Sequence, residues 1–107
     1  MAAAILDDPI VRRIRAGLDA LYGDRIERVV LFGSRARGDA REDSDYDVAV
    51  FLRDMTDRWC ERYRLADLRH QFLGEARIFL DLKPFPSGSY QARTSLMHEI
   101  REDGVEL

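Results

Sequence analysis

Several residue types are scarce in this 107-residue chain: one cysteine, three prolines, and a single lysine, Lys83, among arginines. Cys60 alone cannot form an internal disulfide, which points to a reducing compartment. It follows Trp59 in a helical pattern and is expected to act as a small buried hydrophobe. No apolar run approaches the length of a membrane span. The start, Met1-Ala-Ala-Ala-Ile-Leu, lacks a basic region and a long apolar centre, and Asp7-Asp8-Pro9 ends it. It does not read as a signal peptide, and a cytoplasmic location is expected. Positive charge is also lacking, because the formal net charge is -3. Direct nucleic-acid binding depends on dense cationic charge, so none is expected. The sequence holds no repeat, linker or low-complexity segment.

What is present suits one modest core, with 46% hydrophobic and 35% charged residues. Residues 1–107 are therefore read as one domain. Asp8-Pro9 predicts a helix start, and Ile10, Ile14 and Leu18 recur on one face until Gly23. Arg25 to Phe32 reads as a strand whose run Val29-Val30-Leu31-Phe32 implies burial on both faces. Gly33 breaks it, and Ser34 to Ser44 reads as loop with room for a helical turn after Ser34. Tyr46 to Leu52 is a second strand. Its alternation puts Asp45, Asp47, Ala49 and Phe51 on one face and Tyr46, Val48 and Val50 on the other.

A helix is predicted from Arg58 to about Leu73, ended by Gly74, burying Trp59, Tyr63 and Ala66 together with Leu65, Leu68 and Phe72. Arg77 to Leu82 reads as a third strand, with Phe79 and Asp81 on one face. Pro84 to Ser89 reads as loop, followed by a helix over Gln91 to Glu102 and a short edge strand at Val105-Glu106-Leu107. His70 and His98 read as surface or helix-packing residues. The expected class is α/β (α+β), with a small mixed sheet flanked by helices.

The segment Leu31 to Leu52, LFGSRARGDAREDSDYDVAVFL, carries the chemistry. Gly33 and Gly38 have the outer spacing of a phosphate-binding loop, but Asp39-Ala40 stand where Lys and Ser/Thr are required. A dinucleotide fingerprint is excluded because no Gly-x-Gly occurs. Asp43, Asp45 and Asp47 begin like a calcium loop, yet Val48 replaces its glycine and Asp54 its final glutamate. The surviving reading is metal-dependent phosphoryl transfer. Asp45 and Asp47 aim at one point, where two magnesium ions about 3.5–4 Å apart can clamp an in-line displacement. Asp81 interrupts the apolar run Ile78-Phe79-Leu80 and is the candidate third carboxylate. Arg35, Arg37 and Arg41 cluster beside this acidic set, and guanidinium forks suit phosphate oxygens.

Gly33-Ser34, ten intervening residues, then Asp45-Tyr46-Asp47 resembles the G-S-x10-D-x-D signature of the polymerase-beta-type nucleotidyltransferase superfamily. The stretch Gly33 to Asp47 is most similar to the small prokaryotic minimal nucleotidyltransferases (MNT), and the likeness spans essentially the whole chain. The resemblance implies a polymerase-beta-like core. Gly33 and Ser34 would hold a triphosphate, with Arg35 and Arg37 as further contacts. Asp45, Asp47 and Asp81 would hold magnesium, and Asp81 would assist deprotonation of the acceptor. It also implies transfer of AMP from ATP to a hydroxyl, with release of pyrophosphate. Many such proteins are antitoxins that modify a tyrosine of a HEPN toxin partner, so a hetero-oligomer is expected. A binding-only antitoxin and a transferase acting on a small molecule or RNA end are the alternatives.

Overall fold

The computed structural model describes residues 2–107; Met1, where the segment read as no signal peptide begins, lies outside them. A short helix α1 (Ala2–Asp7), not expected from the sequence, precedes α2 (Pro9–Tyr22). Asp8 caps α2 by accepting from the Ile10 amide at 2.8 Å, with Pro9 in the first turn. Then follow β1 (Ile26–Phe32), α3 (Ser34–Arg37), β2 (Tyr46–Leu52), α4 (Arg58–Ala76), β3 (Leu80–Pro86), α5 (Ser95–Asp103) and β4 (Val105–Glu106).

The four strands form one mixed sheet in the order β3-β2-β1-β4. β1 runs antiparallel to β2 and β4, while β2 and β3 are parallel. A parallel neighbour requires a crossover, and α4 supplies it. Helices α2 and α4 cover one face, where Ile14, Leu18, Leu65 and Phe72 pack on Val29, Leu31, Val48 and Val50. On the other face Val30, Phe32, Ala49 and Phe51 meet Met97 and Ile100 of α5. The continuous apolar run of β1 is thus buried on both sides, as its sequence implies.

Four expected element bounds are corrected. The third strand begins at Leu80, not Arg77, because Arg77 takes a left-handed conformation (φ 54°) that caps α4. Helix α4 itself runs past the exposed Gly74 to Ala76. The strand extends through Pro84-Phe85-Pro86, where a loop was expected. β3 is an edge strand, and there a proline lacking its N–H leaves no ladder partner stranded. The last helix starts at Ser95, four residues later than expected, with Thr94 Oγ1 accepting from the Met97 amide at 3.1 Å.

The buried stripe of α4 is also offset from its expected position. It consists of Glu61, Leu65, Leu68 and Phe72, whereas Trp59 and Tyr63 are 71% and 79% exposed. Cys60 is exposed as well, against the expectation of a buried hydrophobe. The stripe contains a charge, Glu61, held by Arg25 at 2.8 Å, and an acidic residue in an inward position conceals the period.

Candidate active site

At the end of β1 the chain turns through Gly33, whose φ of +74° belongs to the region that favours glycine. A Cβ there would run into the Asp47 carboxylate. Glycine at this position therefore allows both the turn and the close approach of Asp47. The Gly33 carbonyl accepts from the Ala36 and Arg37 amides at 3.1 Å, so Ser34 opens the one-turn helix α3.

The sheet register supplies the remaining acids. Asp47 lies directly opposite Phe32 on one side and Asp81 on the other. Parallel neighbours of equal register put their side chains on the same face, so Asp47 and Asp81 are adjacent. Asp45 precedes β2 and is exposed, and beside it the Tyr46 amide donates to the Phe79 carbonyl at 2.9 Å. Phe79 is 55% exposed. Partial burial, then the negative charges of Asp81 and Asp45, push the Asp47 carboxyl above its ordinary range, with Lys83 opposing and Glu99 of α5 adding to the rise.

The structure brings Gly33, Asp47 and Asp81 together, with Ser34 and Asp45 at the edges of the group. The two arginines face other partners. Arg35 donates to the Ser44 carbonyl at 2.9 and 3.2 Å and to the Glu42 carbonyl at 3.1 Å, and its guanidinium lies 4.4 Å from the Tyr46 ring centroid. It ties down the loop between α3 and β2. Arg37 reaches Asp39 at 3.2 Å, and Glu99 and Asp103 of α5 at 3.7 and 3.9 Å. The Asp39 hydrogen bond, chief among these contacts, raises its pKa further.

Sequence reading passed over one residue of the group. Lys83 Nζ stands 3.1 Å from Asp81 Oδ2. Strand alternation two positions beyond Asp81 was the signal that could have found it. The donors offered by Asp45, Asp47 and Asp81 are all carboxylate oxygens, which suit a hard divalent cation. Their mutual repulsion, seen at Asp47, is what such a cation relieves. Among the described residues no three Asp, Glu, His or Cys side chains already stand arranged to hold an ion, and Asp81 is drawn to Lys83.

A glycine turn abutting clustered carboxylates on one sheet face defines a class of site suited to a polyanion brought together with cations. Comparison with known proteins agrees with that class. Residues 11–97 match the family described as "Nucleotidyltransferase domain". The Methanocaldococcus jannaschii protein named "Putative protein adenylyltransferase MJ0141" is 39% identical over 98 residues, covering 92% of this chain and 95% of that protein. A crystal structure of a mutant of the toxin-antitoxin MntA-HpeT superposes with a TM-score of 0.62 at 19% identity, over 88% of this chain and 69% of that one. A toxin-antitoxin crystallised with AMP-PNP gives 0.60 at 23% identity, with the same two coverages. These structural likenesses bear on the fold, which is the polymerase-beta-like core. The chain belongs to the nucleotidyltransferase domain family, and its activity is nucleotidyl transfer.

Proposed function

We propose that this protein is an antitoxin that transfers AMP from ATP to a tyrosine hydroxyl of a HEPN toxin partner in the cytoplasm, with magnesium as cofactor. The observation that carries the reading is the register of β2 against β3, with Asp47 opposite Asp81 and the Gly33 turn against Asp47. The M. jannaschii relative, named a putative protein adenylyltransferase, and the toxin-antitoxins among the structural neighbours support the acceptor class.

The Gly33-Ser34 turn holds the triphosphate through backbone amides and the Ser34 hydroxyl. Asp81 accepts the proton of the acceptor hydroxyl. The acceptor oxygen attacks the α-phosphorus and forms the new P–O bond, while the bond to the β-phosphate breaks and pyrophosphate leaves. Magnesium held by Asp45, Asp47 and Asp81 would supply positive charge against the triphosphate. Catalysis is then mainly positioning and neutralisation of developing charge. Arg37 contributes to phosphate binding only by leaving Asp39, Glu99 and Asp103, and Arg35 only by releasing its loop. An AMP group on the toxin adds a bulky anion that repels RNA phosphates.

The test is incubation with labelled ATP, magnesium and the toxin encoded beside this protein. Label is expected on a toxin tyrosine, and an Asp47→Asn variant is expected to lose transfer by at least about a hundredfold. Equal transfer by that variant, or an unlabelled toxin, overturns the reading.

A further inference from the structure

Lys83 is the only lysine in a chain whose other basic residues are all arginines. It stands two residues beyond Asp81 on the same sheet face, opposite Ala49, one alternation along from the Asp47–Asp81 pair. Its Nζ lies 3.1 Å from Asp81 Oδ2, with the two side chains 33% and 44% exposed. It is also the one cation among the main influences on Asp47, and it acts against the repulsion from Asp81 and Asp45.

We infer that Lys83 is a resident counter-ion of the acidic site, occupying Asp81 in the metal-free protein and yielding that carboxylate when metal arrives. The inference rests on the proposed role of Asp81 as a metal ligand. Its physical basis is competition, because an ammonium and a divalent cation on one carboxylate repel each other. One must leave, or both bind weakly. Lysine suits the role better than arginine. Its ammonium is a compact, well-hydrated charge on a flexible stem and releases readily, whereas a guanidinium would clasp the carboxylate with two bonds. The consequence is a site that binds bare metal poorly and loads metal best together with the polyanionic nucleotide. Between turnovers Asp81 is paired from within the chain. Lys83 is a positioning residue here, since it acts through Asp81.

The test reads manganese binding to the nucleotide-free protein at neutral pH, from the electron paramagnetic resonance signal of the free ion. Lys83→Met and Lys83→Gln are both used, each checked for a cooperative thermal melt. They are expected to bind manganese about tenfold more tightly than the parent, the size of effect that removing one adjacent, partly screened charge produces. Lys83→Arg is expected to bind more weakly than the parent. Arg13→Met removes a positive charge that pairs with Glu75 on the helical layer, and it is expected to leave affinity unchanged. Equal or weaker binding by Lys83→Met and Lys83→Gln overturns the inference alone. A matching gain in Arg13→Met also overturns it, by assigning the effect to net charge. Failure of every protein to bind manganese overturns it together with the proposed metal site.

Discussion

Asp47 sits where its charge costs stability. Its carboxyl is raised by burial first, then by Asp81 and Asp45. A carboxyl with a higher pKa folded than unfolded keeps its proton longer in the fold. Stability therefore falls as pH climbs from the ordinary carboxylate range through the raised value, and the loss is complete above it. Asp47→Asn removes that penalty. Without metal, the variant is expected to melt at a higher temperature than the parent at pH 7, with the gap closing as pH falls below the ordinary carboxylate range. Thermal melts across pH check this, and a lower melting temperature at pH 7 counts against it. The same residues show what could be read from sequence. Gly33, Ser34, Asp45 and Asp47 fall within one short segment, and strand alternation predicts one side for Asp45 and Asp47. The contact between Asp47 and the Gly33 turn does not, since it depends on how β1 and β2 pair.

At the scale of elements, helices and turns were legible where the signal was local. The Asp8-Pro9 start of α2 and the inner strands β1 and β2 lie where propensity and pattern put them. The edge was harder to read. Pro84 and Pro86 look like loop residues, and only the absence of an outer neighbour makes them strand residues. The junction of α5 with β4 carries a prediction of its own. The Gly104 amide donates to the Ile100 carbonyl at 3.0 Å, and a Cβ at Gly104 would collide with that carbonyl and with Val30 Cγ1. Gly104→Ala is expected to destabilise the protein by about 1–3 kcal/mol, as overpacking does. A urea unfolding midpoint shifted downward is the expected result, and an unchanged midpoint would refute it.

Across the whole molecule, one polar cluster joins the chain segment before β1 to the crossover helix. Glu61, 4% exposed, accepts from Arg25 at 2.8 Å and from Arg64 at 3.3 Å. The Tyr22 hydroxyl lies 3.5 Å from the Glu61 carbonyl, and burial followed by the Glu61 charge raises its pKa. Arg25→Met leaves a buried carboxylate with only the more exposed Arg64, and it is expected to cost about 2 kcal/mol of global stability. Chemical denaturation followed by both fluorescence and circular dichroism should show a single transition moved to lower denaturant. An unmoved transition would mean that Arg64 alone suffices. Glu61 shares its inward face with Leu65, Leu68 and Phe72, which leaves Trp59 and Tyr63 outside.

The sequence by itself determined the turn at Gly33-Ser34, the doubly buried β1 and the stripe of α2. Each of these follows from short-range sterics or from a period within a few residues. Tertiary structure alone decided the register that sets Asp81 directly opposite Asp47, the 3.1 Å approach of Lys83 to Asp81, the run of β3 through its prolines and the exposure of Trp59. Those outcomes depend on which strand pairs with which, and in what register. Such pairings join residues far apart in the chain, as Asp47 with Asp81, and no short-range period specifies them.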